Sequence, residues 1–436
     1  MSAQVLDLKV LISSRIDPRR LKVLHSAGAL ADEKGWKAYL VGGAVRDLLL
    51  GAKNFDLDLL IERHGLEFAR ELAARSRGAV KTYRRFATAM VVLRGGIKLD
   101  ITTTRKEEYP HPGALPRVLP GDLKEDLFRR DFTINAMAVS INRDEWGKLI
   151  DPNGGWEDLK RGIIRVLHPR SFQDDPTRVF RAVRFQRRLK FKIEPRTEEL
   201  IRNAVNVRMF DRVSPERLRH ELELILEEPA PEEAIDAMAR YDQLRFIHPR
   251  LNIGSRRRAI LVRLGKVWSR HVGVSAGKKI KKWRLYLAAL VWPLSPAAIA
   301  ETGRKFSFPE RFLQAVIALK KKEQAIFSFL GLEQPPLPSL VLRRLRVFPA
   351  EALLLAVAVA PTEVCRKRIE DYLVDYSKIK LEIGGQDLIR VGLKSGPEMG
   401  EVLDRVLFAR LDGKIGGRSE QLALARKLVD RRKDKD

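Results

Sequence analysis

Asp56 and Asp58 stand one residue apart in the run Phe55-Asp56-Leu57-Asp58-Leu59. Side chains alternate between the faces of an extended strand, so both carboxylates emerge on one side and Phe55, Leu57 and Leu59 on the other. Two carboxylates about 6–7 Å apart at Cα can converge on divalent metal. Magnesium takes oxygen ligands, and two such ions about 4 Å apart serve phosphoryl transfer by activating an attacking hydroxyl and steadying a leaving pyrophosphate. The same triplet also fits a solvated strand edge. In Ile97-Lys98-Leu99-Asp100-Ile101 the alternation recurs, which predicts a neighbouring strand bringing Asp100 to the same edge. There it would complete the metal site or accept a hydroxyl proton; the alternative is a solvated side chain paired with Lys98 or Arg105.

Upstream, Tyr39-Leu40-Val41-Gly42-Gly43-Ala44-Val45-Arg46 reads as a strand, a glycine turn and a helix. Such a turn can face backbone N–H groups toward phosphate, with Arg46 adding charge one turn later. It can equally be a tight connection that needs positive φ.

These residues need a sheet to position them. Strands are predicted over Ala38–Val41, residues 55–61, residues 89–93 and Lys98–Thr103, with helices over residues 45–50 and Gly65–Arg75, so residues 36–165 are α/β. Residues 105–126 are predicted as a loop, in which the proline-rich 109–116 stretch is long enough to move over a site. Beyond Asp174, apolar residues recur at helical spacing between prolines, and almost all of the remainder is expected to be helix.

The 436 residues are enough for two to four domains. Lysine and arginine total 83 against 56 acids, a net charge of +27 that points to a polyanionic partner. Basic clusters at residues 256–258, 278–284, 320–322 and 343–346 are candidate RNA contacts, with Lys278, Arg284 and Arg343 named as their markers. With Cys365 as the only cysteine there is no intrachain disulfide and no cysteine zinc cage, and the histidines form no zinc motif, which leaves magnesium as the expected cofactor. No signal-peptide core is apparent, and the best apolar run, residues 350–361, is too short to span a bilayer; a soluble, cytoplasmic protein is expected.

Residues 40–47 and the Asp56/Asp58 pair are followed by Arg129-Arg130-Asp131-Phe132-Thr133-Ile134-Asn135-Ala136, Ile150-Asp151-Pro152, Asp174-Asp175-Pro176-Thr177-Arg178 and Ser214-Pro215-Glu216-Arg217. In this order and spacing the sequence resembles class II tRNA nucleotidyltransferases and bacterial poly(A) polymerases. The resemblance implies a DNA polymerase β-like α/β nucleotidyltransferase head followed by an all-α neck, body and tail. The corresponding boundaries are an extension at 1–35, head at 36–165, neck at 166–230, body at 231–360 and tail at 361–436.

Asp175 and Arg178 can be read as a helix start that sets a carboxylate beside a guanidinium. Cytosine and adenine both present an amino donor next to an unprotonated ring nitrogen, which this acceptor–donor pair matches, whereas guanine and uracil present the reverse order. The plain alternative is an i,i+3 ion pair. The resemblance assigns the base-template role to Asp175 and Arg178 and adds Arg181 and Arg184 as nucleotide contacts or helix braces. It places Gly42, Gly43, Arg46 and Arg130 near the triphosphate and Asp131 and Asn135 near the ribose; alternatively Asp131 caps a helix over residues 132–139. Asp174 stands where many relatives carry glutamate.

The implied activity is addition of CMP and AMP from CTP and ATP to a tRNA 3′ end with two magnesium ions. Complete CCA synthesis is the first reading; A-only or CC-only addition in a split system and poly(A) tailing are the alternatives. Outside this class stand a non-catalytic RNA-binding relative, opposed by the intact aspartates, and a small-molecule nucleotidyltransferase, which would leave the basic helical region without a task.

Overall fold

The computed structural model describes residues 8–52, 56–271 and 280–433. It divides into two compact units, Met1–Glu221 with Ala237–Phe246, and Leu222–Asp236 with Ile247–Asp436.

The first unit opens with helices α1 (Lys9–Arg15) and α2 (Pro18–Glu33), the latter started by Pro18 and capped by the Asp17 carboxylate, which accepts the Arg19 N–H at 2.8 Å. Next come β1 (Ala38–Val41), α3 (Gly43–Leu49), β2 (Leu57–Ile61), α4 (Gly65–Arg75), β3 (Ala79–Tyr83), β4 (Thr88–Val92) and β5 (Lys98–Thr103). Then follow β6 (Arg105–Glu108), β7 (Arg117–Pro120), α5 (Leu123–Phe128), β8 (Ala138–Ser140) and β9 (Leu149–Ile150). A seven-stranded mixed sheet has the order β3-β4-β5-β2-β1-β8-β9. Its central strands are apolar on their buried side, where Leu57, Leu59, Leu99 and Ile101 are all but inaccessible to solvent. α4 packs Phe68, Ala69, Leu72 and Ala73 inward at helical spacing, the face expected from sequence.

β2 and β5 are parallel and in register, with Asp58 directly opposite Asp100. β1 follows α2 closely because Asn142 accepts the Ala38 N–H at 2.9 Å and donates to Asp32 at 2.8 Å.

The structure departs from the sequence expectations in three places. Residues 105–126 are not an open loop: β6 and β7 pair as an antiparallel ribbon, Arg105 opposite Pro120 and Glu108 opposite Arg117. α5 then begins with a capping box, Asp122 accepting the Glu125 N–H at 2.8 Å and Glu125 the Asp122 N–H at 3.0 Å. Residues 132–139 are not a helix but a 3₁₀ turn, Thr133–Asn135, leading into β8, whose Ala138 and Val139 pair with Val41 and Leu40. A short apolar run does not distinguish helix from strand, and the vacant edge of β1 decides the matter. β3, unforeseen, pairs with β4 along its whole length. Phe55, expected at the start of β2, lies outside the described residues.

After α6 (Gly155–Arg161) and β10 (Ile163–Ile164), α7 (Ser171–Asp174) leads to α8 (Arg178–Leu189), and β11 (Lys192–Ile193) pairs in parallel with β10. Phe180, Phe210 and Phe246 stack together beneath α8.

The second unit is built almost wholly of helices. The helix Ala350–Val359 is buried on all sides from Ala352 onward, which accounts for its apolar composition without a membrane. Among the described residues no helix is long and apolar enough to cross a bilayer. A separate core forms around Ile383, Leu388, Val402, Val406 and Val429.

Gly28 brings α2 against the backbone of Ile141: a Cβ there would lie 2.1 Å from the Ile141 carbonyl oxygen. Because backbone cannot yield as a side-chain tip can, Gly28→Ala is expected to cost about 2 kcal/mol or more, read as a lowered urea midpoint with unchanged slope.

Candidate active site

β1 ends in Gly42, whose φ of 68° is in the left-handed region that favours glycine, and α3 begins at Gly43. A Cβ at Gly42 would stand 2.6 Å from Arg130 Nη1, a side-chain tip that can move, so it is the backbone conformation that calls for glycine here. Arg46 is buried, donating from Nη1 to Asn135 Oδ1 at 2.6 Å and from Nε to Asp47 at 2.8 Å.

These groups line a cavity of about 690 Å³ in the first unit together with Asp56, Asp58, Asp131, Asp175 and Glu221. α8 faces it with Arg178, Arg181, Arg184, Phe185 and Arg188, residues that recur at the spacing of one helical face. Seven arginines and six carboxylates line it in all.

The acids fall into two physical classes. Asp131 is buried, and burial alone would raise its pKa; Arg181, Asn135 and Arg178 outweigh that and hold it down at about 2. Its Oδ2 accepts from Arg181 Nε and Nη2 at 2.8 and 2.6 Å, and its Oδ1 from the Phe132 N–H and Asn135 Nδ2 at 2.9 and 3.0 Å. Asp58 is pushed up to about 6, first by burial and then by the charge of Asp100, with Asp56 adding to the effect and Arg130 and Arg46 opposing it. Asp100 is itself raised, by burial and by Asp56.

Neither Asp56 nor Asp58 forms a hydrogen bond or ion pair with another described residue. Two unneutralised carboxylates, one resisting ionisation, are a donor set that fits a hard divalent cation, which would relieve their repulsion. Asp100 is outside the cavity lining, and among the described residues no three His, Cys, Asp or Glu side chains gather closely enough to hold an ion. Its reach into the cavity is through its charge on Asp58.

Asp175 and Arg178 both line the cavity but are not paired with each other. α8 starts at Arg178, with Thr177 as its cap residue rather than Asp175. The Asp175 Oδ1 accepts from Thr177 N–H at 3.0 Å, Thr177 Oγ1 at 2.7 Å and Arg217 Nη2 at 2.8 Å. Arg178 donates to Ser171 Oγ at 2.8 Å and the Arg129 carbonyl at 2.6 Å. Each is thus oriented by neighbours, which leaves the second carboxylate oxygen and the remaining guanidinium N–H groups to face a ligand. Asp174 turns instead to Arg170 and His168, at 3.7 and 3.9 Å.

Tyr109 and Pro116, the ends of the stretch expected over a site, line the cavity, whereas sequence reasoning missed Glu107, Arg129, Phe185, Arg188 and Glu221 as lining residues. Glu107 joins Arg129 at 3.0 Å and Tyr109 at 2.8 Å. Phe185 sits among Arg46, Arg184 and Arg181, their guanidinium carbons 5.0, 5.2 and 5.8 Å from its ring centre. The i+7 and i+10 spacing of Phe185 and Arg188 from Arg178 was the signal available. The stretch 109–116 is anchored at Gly113, whose N–H donates to the Gln173 carbonyl at 3.1 Å and whose carbonyl accepts from Arg217 at 2.9 Å.

Of the candidate RNA contacts, Lys278 lies outside the described residues. Arg343 is exposed, and Arg284 lies over the ring of the buried Trp283.

With the folded pKa of Asp58 above its ordinary value, its ionised form costs stability fully above about pH 6 and not at all below about pH 3.8. Asp58→Asn is therefore expected to stabilise the metal-free protein by about 2–3 kcal/mol at pH 7, a gain that vanishes toward pH 4 in thermal melts. Asp131→Asn should do the opposite, removing the closer of the two acids beside the half-buried Arg181 and leaving it Glu221 at 3.6 Å, at a cost of about 1–3 kcal/mol.

Residues 38–165 match the family described as the poly A polymerase head domain, and residues 190–253 that described as the probable RNA and SrmB-binding site of polymerase A. An A-adding tRNA nucleotidyltransferase of Geobacter sulfurreducens is 39% identical over 94% of this chain, which spans only 47% of that relative's length. The A-adding tRNA nucleotidyltransferase of Halalkalibacterium halodurans is 32% identical over 94% of this chain and 93% of its own. Among solved structures, an apo form of a CCA-adding enzyme superposes with a TM-score of 0.86 at 34% identity, over 98% of this chain and all of that one. The chain belongs to the tRNA nucleotidyltransferase and poly(A) polymerase family.

Proposed function

We propose that this protein transfers CMP and AMP from CTP and ATP to the 3′ end of tRNA, as synthesis or repair of the CCA end. The observation that carries this reading is that one cavity holds both the unneutralised carboxylates Asp56 and Asp58 and the separately oriented pair Asp175 and Arg178. The first suits nucleotidyl transfer and the second suits reading the edge of a cytosine or adenine.

In this reading Gly42, Gly43, Arg46 and Arg130 receive the triphosphate, Asp131 and Asn135 the ribose, and Asp175 with Arg178 the base, while Arg181 and Arg184 brace the helix that carries Arg178. The tRNA 3′-hydroxyl attacks the α-phosphorus and gives up its proton to solvent; a new O–P bond forms, the bond to the oxygen bridging to the β-phosphate breaks, and pyrophosphate leaves. Catalysis is mostly positioning and charge neutralisation by the arginines. Magnesium at Asp56 and Asp58, as two ions, would supply Lewis-acid activation of the hydroxyl and neutralise the developing phosphate charge. Asp100 tunes the charge of Asp58. A cytoplasmic location accompanies this role.

Addition of the terminal A alone is the second reading, favoured by the names of the two relatives that match 94% of the chain. Incubation with tRNA ending in the discriminator base, in -C or in -CC separates the two: CCA synthesis extends all three, A-addition only the last.

Asp58→Ala is expected to fold and to bind tRNA yet to incorporate nucleotide at least about a thousandfold more slowly. Arg178→Ala should lose discrimination against UTP and GTP before it loses turnover. Wild-type incorporation by Asp58→Ala would overturn the assignment.

A further inference from the structure

We propose that a second cavity in the first unit, of about 800 Å³ and separate from the carboxylate cavity, binds backbone phosphates of the RNA substrate through Arg63, Arg84 and Arg85. Its ligand rests on the tRNA reading above.

The three arginines come from two elements. Arg63 follows β2, and Arg84 and Arg85 form a 3₁₀ turn at the end of the edge strand β3. None of their side chains has a hydrogen bond or ion pair to a described residue. The three acids of the cavity are committed elsewhere. Glu62 accepts from Tyr39 Oη at 2.9 Å, and Asp122 and Glu125 are turned onto the backbone N–H groups that start α5, at 2.8 and 3.0 Å. The acids still carry charge, but their oxygens are turned to other donors, so the guanidinium N–H groups of Arg63, Arg84 and Arg85 are left free for the oxygens of a phosphate diester.

The site is also built rather than loose. Arg105, which lines it, donates to the Phe86 carbonyl and is itself fixed by Glu107 at 2.9 Å, so the backbone of the arginine turn is clamped. Arg63 and Ala87, both on the lining, hold φ of 64° and 51°, the left-handed region that non-glycine residues adopt only when surroundings impose it.

Aromatic faces decide between RNA and a free anion. Tyr83 and Phe86 flank Arg84 and Arg85 with 43% and 38% of their surface exposed, and Arg85 lies 5.7 Å from the Phe86 ring centre. Lys81 covers one side of Tyr83, its Nζ 5.3 Å from the ring centre, as Arg85 does for Phe86, and the remaining exposed ring surface beside the cavity suits stacking with bases next to a bound backbone, which phosphate or pyrophosphate would leave unused. The feature is local to the turn and is independent of the basic clusters of the second unit.

The test uses the full chain and three variants: Arg84→Ala with Arg85→Ala, Arg63→Ala, and Arg84→Lys with Arg85→Lys. Labelled tRNA binding is followed by fluorescence anisotropy between about 50 and 200 mM salt, CTP and ATP binding by calorimetry, and folding by thermal melts. The double alanine variant is expected to bind tRNA about tenfold more weakly, with the log–log salt slope shallower by about 1.5–2. Arg63→Ala should lose about one unit of slope, and the lysine pair should recover most of both. Nucleotide affinity and incorporation at saturating tRNA should hold. Unchanged tRNA affinity and slope in the alanine variants, with the wild type binding tRNA, would overturn the site alone. Weakened pyrophosphate binding without any change for tRNA would overturn it in favour of a free-anion site. A wild type that binds no tRNA would sink the functional reading and this inference with it.

Discussion

The candidate active site depends on one charge pair, the buried Asp131 with the half-buried Arg181. A carboxylate buried as Asp131 is stays ionised only where donors reach its oxygens, and here a guanidinium with two N–H groups on Oδ2, a backbone N–H and an asparagine amide do so. The pair fastens the turn after α5 to α8. Asn135, held by Asp131, in turn accepts from Arg46, so the orientation of the guanidinium beside the glycine turn is set from the same carboxylate. Phe185, packed edge-on against Phe132, fills the space among Arg46, Arg181 and Arg184.

Against this satisfied centre, Asp56 and Asp58 are conspicuous for lacking partners. The sheet forces the issue: parallel pairing of β2 with β5 in the observed register puts Asp58 opposite Asp100, so like charges face each other across the ladder. The fold accepts that repulsion beside the arginine-lined cavity that Asp56 and Asp58 enter. Perturbed carboxylates of this kind mark functional sites more often than structural ones because stability alone would select against them.

Arg217 links two further parts of the site. One guanidinium nitrogen donates to Asp175 and the other to the carbonyl of Gly113, so the Asp175 carboxylate and the stretch between β6 and β7 share a single anchor. Gly113 fits there because a Cβ would meet the backbone of Arg212 at 3.1 Å.

What the sequence determined by itself was local and periodic. Alternation in β2 and β5 predicted which faces Asp56, Asp58 and Asp100 would take, helical spacing predicted α4 to the residue, and the glycine turn announced the start of α3. The order of motifs was enough to place the chain in its family. The Asp122–Glu125 capping box was also legible and went unused, which is why the ribbon and α5 were expected as loop. Other features exist only through partners distant in the chain. Residues 138–140 are a strand because β1 has an edge to offer, and Asp175 is held by Arg217, 42 residues away, rather than by the neighbouring Arg178. The raised pKa of Asp58 and the lowered one of Asp131 follow from burial and from charges on other elements. Two aspartates of identical chemistry acquire opposite characters because only the tertiary structure decides which of them is neutralised.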